Sequence, residues 1–280
     1  MAAPMKHKGI VLALICAGLV IGLAYAIFPV LWMLSSSFKS NTEIFSLPPR
    51  IFPKAFTLEA YQSILGNASK VRFFLNSYLV ASSVTVLTLL VSILSGYSFS
   101  RHSFRFRKPL NMFIISTQTV PPITLLIPYF GLVVAFRMYN TYFALIFTYM
   151  VFTLPYAILM MTGYFNTLPK ELDEAVMVDG GSSLYALWRV LVPISVPGIV
   201  ATGVYTFLLA YNEFLFALTL TKTTDMRTVP IGIQLLMGQH AYQWNEMMAM
   251  SMLGSLPIVV MYMVAQRYFL AGMTAGSVKA

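Results

Sequence analysis

Acidic side chains are scarce in this chain, with 9 Asp and Glu against 18 Lys and Arg in 280 residues. Four of them, Glu171, Asp173, Glu174 and Asp179, crowd between Leu168 and Pro193. Carboxylates at such spacing can serve as general acids and bases, bind a metal, or present charge to a partner. The first two uses need company that the sequence lacks. His7, His102 and His240 all fall outside this segment and outside the apolar runs, and no nucleophile–base or metal-ligand set appears. Cys16 is the one cysteine, which excludes an internal disulfide and any multi-cysteine metal site. Its apolar neighbours predict a small buried hydrophobe. No Gly-x4-Gly-Lys-Ser/Thr phosphate loop occurs, so the chain is expected to bind no cofactor and to hydrolyse no ATP by itself. Presenting charge is what remains for the cluster. A fifth acid, Glu213, sits inside an apolar run, where an ionisable group is a functional candidate by default.

The elements that must position these acids follow from composition. Hydrophobic residues make up 58% of the chain and charged ones 10%, with a mean hydropathy of +0.77. Soluble domains average about 25% charged residues. A soluble enzyme, a disordered tail and a disulfide-stapled secreted domain are therefore excluded. Six stretches are nearly free of charge: Ile10–Leu34, Phe73–Ser100, Pro109–Phe136, Met138–Pro169, Val190–Thr221 and Met247–Gln266. Each reaches the roughly 20 residues of a bilayer-spanning helix, and Glu213 is the one Lys, Arg, Asp or Glu inside them. Runs such as Val84–Ile93 do not alternate as barrel strands would. The expectation is an all-α membrane protein of six transmembrane helices.

The net charge of +9 reads as topology rather than nucleic-acid binding. With the N-terminus inside, inner segments hold ten basic residues and outer ones eight. Four of the eight residues from Arg101 to Lys108 are basic, so both termini are expected in the cytoplasm. The first span, 10–34, is too long for a signal-peptide core, and no small-x-small cleavage site follows Phe28–Pro29. A cytoplasmic N-terminus (1–9), a six-helix domain (10–270) and a cytoplasmic tail (271–280) complete the division. The external loop 35–72 carries Pro48, Pro49 and Pro53, with a short helix expected over Leu58–Leu65. A second external region, Thr223–Glu246, ends in polar and aromatic residues.

The loop at 166–193 has an internal design. Pro169 suits a first helical turn, where acids favour the positive end of the helix dipole. Leu172, Ala175 and Val176 share one face at helical spacing. Gly180 and Gly181 can stop the helix, and Ser182 or Ser183 can cap a second one. In that second helix Leu184, Leu187, Trp188 and Leu191 are expected on one face. Pro193 either ends the run or bends it into the fifth span. Anionic inner leaflets disfavour an acidic hairpin, so a protein partner with a basic groove suits it better.

This segment resembles the EAA loop of permease subunits from binding-protein-dependent ABC importers. That pattern has Glu-Ala-Ala, three residues, Gly, nine residues, then Ile-x-Leu-Pro. The chain supplies Glu174-Ala175-Val176, Gly180 and Val190-Leu191-Val192-Pro193 at those spacings, with Asp179 before the glycine and Gly181 where Ala is commoner. The tail Gly272–Lys279 and the element Tyr211-Asn212-Glu213-Phe214 are similar to the maltose-type second permease of the carbohydrate branch. The resemblance implies a type I ABC importer permease fold with a cytoplasmic coupling helix. It implies a second permease subunit, two cytoplasmic ATPase subunits carrying ATP and Mg, an extracytoplasmic solute-binding protein, and a sugar or polyol substrate crossing the inner membrane. Glu174, Ala175, Asp179, Gly180 and Pro193 would meet the ATPase, and the tail would reach the same interface. Gln239, His240, Tyr242 and Trp244 would face the binding protein.

Asn212, Glu213 and Gln118 are candidate pathway residues. Glu213 can line the pathway, bond sugar hydroxyls, pair with the partner subunit, or make a structural helix–helix hydrogen bond through Asn212. Thr117, Gln118, Thr119, Pro121, Pro122 and Pro128 put polar groups and kinks into the third span, while Pro155, Pro197 and Pro257 predict breaks elsewhere. Gly18 and Gly22 form a small-xxx-small face suited to helix contact. An ion-coupled secondary transporter is the rival reading. It would carry several membrane-buried ionisable groups and internal pseudo-symmetry, and the lone Glu213 argues against it.

Overall fold

The structure, a computed structural model, describes residues 8–238 and 242–277. In chain order its α-helices are α1 (Lys8–Ser37), α2 (Asn41–Ile44), α3 (Glu59–Leu65), α4 (Ala68–Arg101), α5 (Arg107–Thr117), α6 (Leu126–Ala135) and α7 (Tyr142–Asn166). There follow α8 (Glu171–Val178), α9 (Ser183–Ala186), α10 (Val192–Ile194), α11 (Val196–Tyr211), α12 (Leu215–Leu220), α13 (Val229–Leu235) and α14 (Trp244–Ser277). A 3-10 turn at Pro122–Leu125 leads into α6, and a π-helical turn at Leu187–Leu191 joins α9 to α10. The described residues contain no strand beyond an isolated bridge, Met237 to Tyr242.

Four helices are each long and apolar enough to cross a membrane: Val11–Ser37, Ala68–Arg101, Tyr142–Asn166 and Trp244–Tyr268. The third and fifth predicted spans are bent pairs, Arg107–Thr117 with Pro122–Ala135 at 97° and Ser183–Ile194 with Val196–Tyr211 at 79°. Counting each pair as one span gives six. The bends sit where prolines remove backbone donors. Pro121 and Pro122 interrupt the third span, and Pro197 stands in the first turn of α11. Pro193 lies just ahead of the second bend, inside α10. Pro155 and Pro257, where breaks were expected, ride within unbroken α7 and α14. Charge does not end the helices where hydropathy does. The fourth helix starts at Ala68 and carries Lys70 and Arg72, ahead of the predicted Phe73.

Two compact units divide the chain. One comprises the chain to Asn67 with Leu235–Leu253. Its α1 is exposed along most of its length and becomes buried only near Ser36 and Ser37. Cys16, expected to be buried, is exposed on this helix, and an added Cβ at Gly18 or Gly22 would meet nothing within 4 Å. A helix apolar all round and uncovered by its own chain is what lipid contact requires. Beyond it the segment is tied by side chains. Lys39 is buried, donates to the Arg50 carbonyl at 2.6 Å and lies 4.9 Å from the Trp32 ring centroid. Phe38 stacks on Phe56 at 4.4 Å, and Ser37 bonds Tyr61 at 2.8 Å.

The second unit comprises Ala68–Gln234 and the chain from Gly254. Its spine is the α4–α7 pair. Gly96 permits their close approach, since a Cβ there would lie 2.8 Å from that of Met161. Thr88 and Thr153 hydrogen-bond across the pair at 2.9 Å. One core gathers Val80, Val84, Leu145, Tyr149, Phe216 and Leu220. A second gathers Ile93, Tyr97, Met161, Phe165, Leu187 and Leu191 at the end of α4 nearer Arg101.

Candidate functional site

The hairpin after α7 begins with three acids in the first turn of α8, Glu171, Asp173 and Glu174. Their positions on the helix separate them. Glu171 and Glu174 are exposed, whereas Asp173 turns inward and is buried. Its Oδ2 accepts from Arg101 Nε at 2.7 Å and its Oδ1 from the Tyr97 hydroxyl at 3.0 Å. Arg101 also donates to the Phe165 carbonyl at 3.0 Å and to that of Leu168 at 3.1 Å. One guanidinium therefore binds α8 and the carbonyls at and just beyond the end of α7 to the end of α4. The sequence places Asp173 among the acids presenting charge to a partner and Arg101 among the basic residues that mark topology. The i, i+4 spacing of Tyr97 and Arg101 on one helix face was the available clue.

The helix ends in a Schellman turn. Gly181 N–H donates to Val176 O at 2.8 Å and Gly180 N–H to Met177 O at 3.1 Å. Gly180 has φ +82°, a backbone region that side chains other than glycine's rarely adopt. Ser182 caps α9, accepting from Tyr185 N–H at 3.2 Å. The expected single apolar face of the second helix divides. Leu187 and Leu191 are fully buried, while Leu184 and Trp188 are exposed, because the π-helical turn rotates successive residues away from 3.6-fold register. Glu174, Ala175, Asp179, Gly180 and Pro193 are all exposed. Beside them stand apolar groups the sequence reading did not place there: Met177, Val178 (85% exposed) and Tyr185. An acid-rimmed apolar knob on a rigidly anchored base can dock in a cleft.

The second constellation lies at the breaks of the bent spans. Gln118 is exposed at the end of α5, on the elbow. It lines a cavity of 420 Å3 with Pro122, Tyr129, Phe152, Tyr156 and Tyr205, and another of 530 Å3 with Tyr156, Tyr164 and Thr167. Tyr156 and Tyr205 stack with centroids 3.9 Å apart. These tyrosines were not singled out in the sequence, where aromatics default to core or lipid contact. Glu213 follows α11 and precedes α12. Its Oε1 accepts from Phe216 N–H at 2.8 Å and its Oε2 from Ala217 N–H at 3.0 Å. It thus caps the helix resuming after the break rather than bonding through Asn212, whose Nδ2 turns back to Leu208 O at 2.9 Å.

In the first unit, Asn41 donates to Tyr242 O at 2.9 Å and accepts from Trp244 N–H at 3.0 Å. The two aromatic rings stack at 5.7 Å. Tyr242 is exposed, while Trp244 is half-buried as the first residue of α14. Gln239 and His240 lie outside the described residues. No group of three or more His, Cys, Asp or Glu able to hold a metal occurs among the described residues.

Comparison with known proteins fits this geometry. Residues 77–274 match the family described as binding-protein-dependent transport system inner membrane component. The chain is 35% identical over 257 residues to the sulfoquinovosyl glycerol transport system permease protein of Agrobacterium fabrum, covering 92% of this chain and 90% of that one. It is 34% identical over 278 residues to the trehalose/maltose transport system permease protein of Thermococcus litoralis, covering 98% and 99%. Its fold is similar to a chain of a bacterial ABC transporter that imports the acidic polysaccharide alginate, with TM-score 0.82, 18% identity, and 96% and 100% coverage. The protein belongs to the binding-protein-dependent ABC importer permeases, an integral membrane transport subunit and not an enzyme.

Proposed function

We propose that the chain is one of two non-identical permease subunits of a carbohydrate importer, moving a sugar or related polyol received from an extracytoplasmic solute-binding protein. Both termini then lie in the cytoplasm, and the spans sit in the lipid bilayer of the inner membrane. The observation that carries this reading is the anchored hairpin. Glu174, Asp179, Val178 and Tyr185 project from a base fixed by Arg101 and Asp173, which suits insertion into an ATPase subunit. ATP and Mg belong to those two partner ATPases, and the 271–280 tail meets them as well. Pro193 leads the hairpin into the fifth span. Gln118, Asn212 and Glu213 mark the pathway at the bends, and Gln239, His240, Tyr242 and Trp244 face the binding protein. The named sugar cargoes of relatives support the substrate class.

The test is purification of the tagged chain from cells co-expressing the candidate companion permease, ATPase and binding protein, followed by uptake into proteoliposomes. The expected result is a retained complex whose ATP-dependent uptake is specific to one member of a sugar and polyol panel. Uptake of none of the panel by an assembled, ATP-hydrolysing complex sinks the carbohydrate reading. Failure of the ATPase to co-purify sinks the docking reading.

A further inference from the structure

The Tyr149 hydroxyl is out of balance with its surroundings. The residue is 2% exposed, yet its oxygen has no hydrogen-bond partner among the described residues. A buried hydroxyl left unpaired is costly, and native structures supply a partner for almost all such groups. The acceptor that acts on it is the Glu213 carboxylate, both through its charge and as a hydrogen-bond acceptor outside good bonding geometry. Each Glu213 oxygen accepts one backbone N–H and retains a free lone pair. Donor and acceptor line the same cavity of 220 Å3, walled by Pro122, Phe152, Leu209 and Phe216. Pro122, Phe152 and Leu209 also line the 420 Å3 cavity that contains Gln118. That cavity in turn shares Gln118 and Tyr156 with the 530 Å3 cavity. The small pocket is thus one end of a series of adjoining cavities.

We infer that Tyr149 and Glu213 form a hydroxyl-binding site for the transported solute. A solute hydroxyl accepts the Tyr149 proton in one hydrogen bond and donates its own to Glu213 in another. One alcohol so placed satisfies the unpaired phenol and a spare carboxylate lone pair together. A carbonyl or ether oxygen can only accept, and an ammonium can only donate, so the pair selects for an alcohol. The apolar walls suit the C–H faces of a sugar ring, with the Phe152 and Phe216 rings 4.8 Å apart. The volume lies below the roughly 300 Å3 at which pockets for drug-sized ligands begin, so the site takes one ring or a short polyol. The inference rests on the carbohydrate reading and adds Tyr149, which sequence analysis did not identify.

The experiment compares the wild-type complex with Tyr149→Phe in proteoliposomes, using the transported sugar and its monodeoxy derivatives. The binding protein sets the apparent KM, so the loss falls on maximal uptake, on the order of fivefold for one neutral hydrogen bond. One monodeoxy derivative is expected to be slow in the wild type and no slower in the variant. Because the hydroxyl makes no hydrogen bond of good geometry in the empty site, the thermal midpoint of the solute-free complex is expected to stay level. Equal uptake by both proteins overturns the inference. So does the same loss for every derivative, or a lowered midpoint with uptake per assembled complex unchanged, since both mark a packing role. A wild-type complex that moves no sugar or polyol overturns the carbohydrate reading and this inference with it, an outcome distinct from variant and wild type transporting alike.

Discussion

Arg101 Nε lies 2.7 Å from Asp173 Oδ2, and each side chain is only 7% exposed. Removing one partner of a buried ion pair strands the other charge, at a cost of about 3–5 kcal/mol. Arg101→Ala and Asp173→Ala are each expected to loosen the hairpin and lower the thermal midpoint of the complex. The double variant costs less than the sum, because neither charge is left alone. Unfolding curves of the four proteins, followed by tryptophan fluorescence, check the cycle.

Gly180, at φ +82°, cannot be replaced by proline, whose ring holds φ near −65°. Gly180→Pro therefore dismantles the turn between α8 and α9. Glu174→Lys leaves the turn intact and reverses an exposed charge. Both are expected to abolish uptake and the ATPase stimulation by loaded binding protein, but only Gly180→Pro should also lower stability. Unchanged stimulation in both would remove the hairpin from coupling.

Val176 and Gly181 depart from the EAA pattern, and the structure joins the two departures. A Cβ on Gly181 would lie 2.6 Å from Val176 Cγ1 and 3.0 Å from its carbonyl oxygen. Gly181→Ala is expected to cost about 1–3 kcal/mol through overpacking. Val176→Ala in the same chain removes the closer contact and restores part of the loss. Midpoints of the two single variants and the double variant decide it.

Glu213→Gln leaves one oxygen to accept where the carboxylate offered two. Either Phe216 or Ala217 then loses its side-chain acceptor, a loss of about 1–2 kcal/mol local to α12. Hydrogen exchange is expected to quicken at those two amides while α7 amides keep their protection. Unaltered exchange at both would show that the cap does not hold the helix.

Hydropathy made the spans legible because lipid burial leaves long charge-free runs, and the family assignment sets aside ion-coupled transport in favour of an ATP-driven importer. The bends were legible only in part. Pro121 and Pro122 disrupt a helix, but Pro155 and Pro257 are carried inside one, and local sequence does not say whether neighbours absorb the lost hydrogen bond. Within the hairpin, the glycine stop and serine cap follow from backbone chemistry alone. The inward turn of Asp173 does not, because its partner Arg101 lies 72 residues earlier. Tyr149 was unreadable for a similar reason: its unpaired hydroxyl exists only in three dimensions, and a tyrosine in an apolar run looks like any other.

The elbow between α10 and α11 has a mechanical meaning. A straight helix passes a push along its axis, since every turn is braced by the next. At Ser195 the axis changes by 79°, so a push on the hairpin arrives at α11 largely as torque. The other arm of that lever ends at Tyr211, two residues before Glu213. On the proposed coupling role of the hairpin, a small displacement there would reach the pocket as a sideways sweep.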